Sequence, residues 1–216
     1  MQGTSAIEAA KGFSETKQKI LMAASEVFAE NGFRYGTIRE IAEKAGANVA
    51  GVNYYFSSKE ELYFFVVRYW LEMTFHDFPY AELADQGLPA RERFLFFIRA
   101  TVSRVFDPTR PAAYAMLFIR EATIEQTEVF DELIRETVAP NTALLRSIIN
   151  ELTEGRLDDA GLDFYAANTI GQCLFFHINR KIIHSTFNID LDREGAAEEL
   201  AARISAYALG AVTSIL

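Results

Sequence analysis

Between Thr37 and Leu62 the sequence TIREIAEKAGANVAGVNYYFSSKEEL carries three helix starts and one helix stop, and few folds satisfy them all. Thr37 is suited to an N-cap, and Glu40, three residues on, completes a capping box. Ile38, Ile41, Ala42 and Ala45 then fall on one helical face. Gly46 follows where a left-handed C-cap residue belongs. Asn48 is the next N-cap, with Val52, Tyr55 and Phe56 as the inward face of a second short helix. Ser58, with Glu61 in the capping-box position, opens a third and longer one. Only Gly46, Ala47 and Asn48 separate the first two helices. A turn that short holds them at a steep angle, as in a helix-turn-helix.

The rest of the chain reads as helical throughout. Residues 1–13 are expected to be a flexible arm. Ser14 caps a helix that turns Ile20, Leu21, Ala24, Val27 and Phe28 inward and ends at Asn31-Gly32. After Ser58 a helix continues to about Phe78 with Leu62, Phe65, Val66, Tyr69 and Met73 as its stripe. A loop follows to Leu88, and Pro89 starts a helix that ends at Asp107-Pro108. Another helix runs from Arg110-Pro111 to about Thr123. A long one from about Glu125 to Leu152 contains Pro140, which should kink or interrupt it. Gly155 closes that helix. Asp158 or Asp159 begins one reaching about Phe187, and the last spans about Asp192 to Leu216. No stretch alternates with a period of two, so the reading is all-α.

The run AGANVAGVNYYFSSKEEL resembles the signature of the TetR family of transcriptional regulators: an Ala-Gly, a short polar turn, a small residue, an aromatic pair and Lys-Glu-x-Leu. The resemblance implies an N-terminal three-helix DNA-binding domain over 14–60 and a C-terminal helical-bundle domain over 61–216 for ligand binding and dimerisation. It also implies a DNA-facing set. Thr37 and Arg39 would approach phosphate at a helix start. Asn48 caps the recognition helix, from which Val49, Ala50 and Asn53 would face the major groove. Val49 and Ala50 can read only a thymine methyl. Gly51 leaves room for close approach. Tyr54 and Tyr55 would donate hydroxyls to phosphates, although Tyr55 is as well placed for the core, and Lys59 would meet the backbone. Asn53 departs from the family, which usually has a tyrosine there; asparagine can donate to a phosphate or bind an adenine bidentately. Farther on, ANTIGQCLFFHINRKII over residues 167–183 resembles the CecR or CerR branch of the family through its I-G-Q-C-L-F run.

The net charge of −9 argues at first against a nucleic-acid partner. Its distribution removes the objection. Through Glu60 seven basic residues (Lys11, Lys17, Lys19, Arg34, Arg39, Lys44, Lys59) balance seven glutamates, so the whole excess lies later in the chain. A locally positive face can bind DNA while a distal acidic body faces away. No apolar run reaches the ~20 residues of a membrane span. The N-terminus does not read as a signal peptide. The single cysteine, Cys173, excludes an intramolecular disulfide and fits a reducing cytoplasm.

No catalytic constellation stands out: there is no nucleophile elbow, phosphate loop or zinc-hydrolase helix, and no cofactor is expected. Cys173 and His177 lie four apart, too few ligands for a metal site. Phe94, Phe97, Tyr114 and Phe118, with the polar Arg120, Gln172 and His177, are candidates for a pocket holding a small organic effector. Most such aromatics serve simply as core. Small residues on the last two helices, Ala167, Gly171, Ala201, Ala208 and Ala211 with Ile204, suit either close helix packing inside the chain or a homodimer interface. The expected function is a ligand-responsive repressor that binds double-stranded operator DNA as a homodimer. The alternative is a helical small-molecule-binding or interaction module that no longer binds DNA.

Overall fold

The computed structural model describes residues 5–76, 87–107 and 117–216. Among them every regular element is helical: α1 (Ala6–Lys11), α2 (Glu15–Tyr35), α3 (Ile38–Ala45), α4 (Val49–Tyr55), α5 (Lys59–His76), α6 (Ala90–Val105), α7 (Glu128–Leu133), α8 (Ala139–Leu152), α9 (Asp159–Ile178), α10 (Arg180–Phe187) and α11 (Ala196–Thr213). π-Turns at Glu121–Glu125 and Ile134–Val138 flank α7. No helix among these residues is long and apolar enough to cross a membrane. Two compact units result, one of Met1–Asp77 with Thr109–Val138, the other of Phe78–Pro108 with Ala139–Leu216.

The first unit is built on the capped helices. Thr37 accepts from the Glu40 amide at 3.2 Å while the Glu40 carboxylate takes the Thr37 amide at 2.9 Å, so the capping box closes both ways. Gly46 ends α3 at φ 63°, the left-handed geometry that glycine adopts without a Cβ penalty. Asn48 caps α4 through the Gly51 amide, and Ser58 caps α5 through the Glu61 amide. The five α2 residues expected inward are all buried, with Ile41, Ala42, Val52, Phe56, Leu62 and Val66. Each such large side chain removed from water contributes about 1.5–3 kcal/mol. On α5 the buried face is wider than the stripe read from the sequence and takes in Tyr63, Val67 and Trp70. The Trp70 indole finds a partner in Ser25 Oγ at 2.7 Å. Leu117, Phe130 and Leu133 join this same core, although they follow the expected domain boundary at residue 60 by a wide margin.

Several expectations meet a different structure. The flexible arm is ordered from Ala6 to Lys11: Ala6 and Ile7 are buried, and Glu72 of α5 takes hydrogen bonds from Ser5 Oγ and the Ile7 amide. That contact lies more than sixty residues along the chain and has no local signature. Gly32 does not end α2 but breaks it, at φ 71° and ψ 178°, before a last helical stretch to Tyr35. The expected long helix from Glu125 is broken twice, at Gln126 with φ 49° and again at the π-turn Ile134–Val138, after which Pro140 falls in the first turn of α8, where a missing donor is tolerated. The expected helix to Phe187 is interrupted at Asn179, whose side-chain amide donates to the Phe175 carbonyl at 2.9 Å and competes with the ladder. The last helix begins at Ala196 rather than near Asp192, after Gly195 at φ 75°.

In the second unit α6 packs against α8, α9 and α11. Phe94, Phe97, Ile98 and Val102 of α6 are buried with Leu145, Ile148 and Ile149 of α8, Ala166 and Cys173 of α9, and Leu200, Ala201, Ile204 and Ala208 of α11.

Candidate nucleic-acid interface

The turn between α3 and α4 leaves one side of α4 in solvent. Val49 and Tyr54 are 43% and 83% exposed, and Asn48, Ala50 and Asn53 are exposed as well. Val52 on the opposite side is fully buried and anchors the helix. Gly51 has a local reason that the sequence reading did not supply: a Cβ there would stand 3.2 Å from Asn48 Oδ1 and press on the cap. Tyr55 takes the inward alternative in part. It packs against the core and its hydroxyl accepts from Ser14 Oγ at 3.2 Å.

The charges sort themselves. Lys11, Lys19 and Lys44 are each paired with a glutamate at 2.6–2.7 Å. Lys17 lies over the Phe13 and Phe56 rings. Arg34, Arg39 and Lys59 form no ion pair among the described residues. Arg39 lies in the first turn of α3 and Lys59 opens α5. Helix N-termini are already positive, so a cation there is unfavourable until an anion arrives. Thr37 is exposed beside them, but its hydroxyl is held by Glu40 at 2.8 Å, which leaves it as a cap first.

One corner escaped the sequence reading. Lys59 Nζ donates to the Arg34 carbonyl at 3.4 Å and sits 4.8 Å from the Phe33 ring centroid. That brings the exposed Arg34 and Tyr35, the latter 70% exposed, beside Lys59. The signal in the sequence is an aromatic and an arginine just before the Thr37 cap.

The effector candidates are not gathered in one unit. Phe94 and Phe97 are buried in the core of the second unit, where Gln172 and His177 are half-buried on α9. The His177 ring lies edge-on to Phe106 at 5.5 Å, and its Nδ1 is 3.3 Å from an Arg180 nitrogen. Burial, and then the Arg180 charge, lower its pKa below the ordinary value. Cys173 is buried, and its thiol is pushed up to about 12 by that burial. Phe118 and Arg120 belong to the first unit; Phe118 packs on Phe130 at 5.5 Å, and Arg120 Nε is buried without a hydrogen-bond partner. Tyr114 lies outside the described residues.

The dimer candidates also divide. Ala167 and Gly171 are exposed and Ala211 is half-buried, whereas Ala201, Ile204 and Ala208 are each 3% exposed and packed inside the second unit. The outward stripe of α11 is Ala202, Ala206, Tyr207 and Gly210 instead. Two stripes of small residues run along that helix, and spacing alone does not say which faces in.

Two family models match the chain. Residues 20–64 match the N-terminal model of the tetR family of bacterial regulatory proteins, and residues 90–212 match the C-terminal domain of the HTH-type transcriptional dual regulator CecR. CecR of Shigella flexneri is 26% identical over 176 residues, 78% of each chain. The transcriptional repressor NicS of Pseudomonas putida is 28% identical over 202 residues, 86% of this chain and 87% of that one. Among solved structures, AibR in complex with isovaleryl coenzyme A and operator DNA superposes with a TM-score of 0.67 at 15% identity, covering 90% of this chain and 97% of that one. The capped motif, its exposed recognition helix and the match over both halves place the chain in the tetR family of bacterial transcriptional regulators, with a CecR-type C-terminal domain.

Proposed function

We propose that the chain is a ligand-responsive repressor that binds operator DNA as a homodimer. The observation that carries this reading is the exposed face of α4 together with Arg34, Arg39 and Lys59, three cations at helix ends of the same unit that form no ion pair among the described residues. Backbone phosphates supply the missing anions, and Asn53 is the side chain on α4 equipped to read a base edge. One such unit reads few base pairs. A two-fold pair, one DNA turn apart, gives useful specificity. The exposed small residues Ala167 and Gly171 on α9, with Ala202, Ala206 and Gly210 on α11, are the surface we assign to that pairing. The likeness to CecR and NicS, both named transcriptional regulators, supports the reading, as does AibR with its operator DNA.

AibR also holds an acyl coenzyme A, which supports a small organic effector here. An anionic group on it would suit Arg120, whose buried Nε lacks a partner. The test is a gel shift on the DNA upstream of the chain's own gene across a salt series. Retarded DNA whose affinity falls steeply with salt is expected. Absence of any shift at low salt would refute the reading.

A further inference from the structure

We infer that the π-turn Glu121–Glu125 is a latch that positions the Arg34–Lys59 corner for phosphate, with Glu121 as its positioning residue; this rests on the DNA-binding reading above. Glu121 is completely buried. Its carboxylate accepts from the Tyr63 hydroxyl through one oxygen, and from the Thr127 amide at 3.2 Å and hydroxyl at 2.8 Å through the other. An apolar side chain would fill that space at lower cost than a buried carboxylate. What the carboxylate adds is direction: it fixes Tyr63 of α5 against the N-cap of α7.

Tyr63 passes that constraint on. Its ring meets Phe28 at 5.0 Å and Phe33 at 4.9 Å, and Lys59 Nζ sits over Phe33. Lys59 in turn holds the Arg34 carbonyl. The other end of the π-turn grips the same corner. Glu125 Oε1 accepts the Phe33 amide at 3.1 Å, directly after the break in α2. The glycine at that break is favoured by its φ of 71°, strained for any other residue, and a Cβ there would stand 2.7 Å from Arg120 Nη2 and displace the ends of the Arg120 and Glu125 side chains. Two carboxylates of one π-turn thus set where α2 bends and where Lys59 points. Single π-turns recur at functional sites.

The test is a double-mutant cycle on the full-length chain. Affinity and its salt dependence are measured on a duplex enriched from a random pool by the unsubstituted protein. Tyr63→Phe keeps the ring and removes only the hydroxyl, so it reports on the latch even where Glu121→Gln fails to fold. Each variant is expected to weaken binding about tenfold and to reduce the salt slope by about one phosphate contact, with helix content unchanged. Lys59→Ala should then add no further loss in either background. A full, additive loss from Lys59→Ala, or a variant that melts earlier yet binds as tightly as the parent, overturns the latch alone. Failure of the unsubstituted protein to enrich any duplex overturns the DNA-binding reading beneath it.

Discussion

Two surfaces of this chain that show aromatic or aliphatic side chains to solvent differ in the chemistry they offer a partner. On α4 Asn48, Asn53 and Tyr54 are exposed, and on the neighbouring helix ends Arg34, Arg39 and Lys59 form no ion pair among the described residues. Along α9 and α10 the exposed residues are Phe164, Phe175, Ile178 and Ile182, with Ala167 and Gly171 between them and Tyr207 on α11. The first surface has donors and charge, so the DNA binding proposed for it would draw its energy from phosphate contacts and counterion release. The second has apolar area and close-approach residues, so the pairing proposed for it would draw its energy from burial against another apolar face. The same family fold carries both, and neither can do the other's work.

The sharpest way to break the comparison is to place one charge on each stripe of small residues. Ala208→Glu forces a carboxylate into a closed core and should cost several kcal/mol, about 3–5, seen as loss of the thermal transition of the second unit. Gly171→Glu sits in open space, since nothing stands within 4 Å of a Cβ there. It should keep the fold, yield monomers by light scattering and lose about a hundredfold or more in operator affinity. Monomers from Ala208→Glu with an intact melt would reverse the assignment of the stripes.

At the α4 surface the effects are smaller. Lys59→Ala should weaken all operators alike by about tenfold and lower the salt slope by about one. Asn53→Ala should instead change which base is preferred at one position, by about 1–3 kcal/mol, in a binding-site selection. Thr37→Ala removes a cap whose hydroxyl is already engaged, and should cost about 1 kcal/mol of stability in a urea titration.

The smallest effect is one of pH in the second unit. The folded pKa of His177 lies below its ordinary value of 6.5, mainly through burial. The unfolded chain therefore takes up that proton first. The contribution of His177 is complete above about pH 6.5 and is lost as pH falls below it. The melting midpoint should fall less between pH 7 and 5 in His177→Gln than in the parent. Equal slopes would mean that His177 titrates normally.

The caps at Ser14, Thr37, Asn48, Ser58 and Asp158 were legible because each is a local bond, made within three residues of its own side chain. The CecR-type run was legible as a resemblance, and the helical reading followed from periodicity. What was hidden depends on residues far apart in the chain. Glu72 orders α1 from the middle of α5, and Glu121 reaches Tyr63 across 58 positions. The two alanine stripes of α11 look alike in sequence and differ only in what covers them. The place of Arg34 and Tyr35 beside Lys59 comes from the fold, not from a spacing.

The central claim, that the cationic face around α4 binds operator DNA, is tested most directly by selection from random duplexes with the full-length protein. The expected result is a two-fold symmetric site with half-sites about 34–36 Å apart, bound less tightly as salt rises and lost in the Arg39→Ala, Lys59→Ala double variant. An unenriched pool, or an enriched duplex that the double variant binds as tightly as the parent, would contradict it.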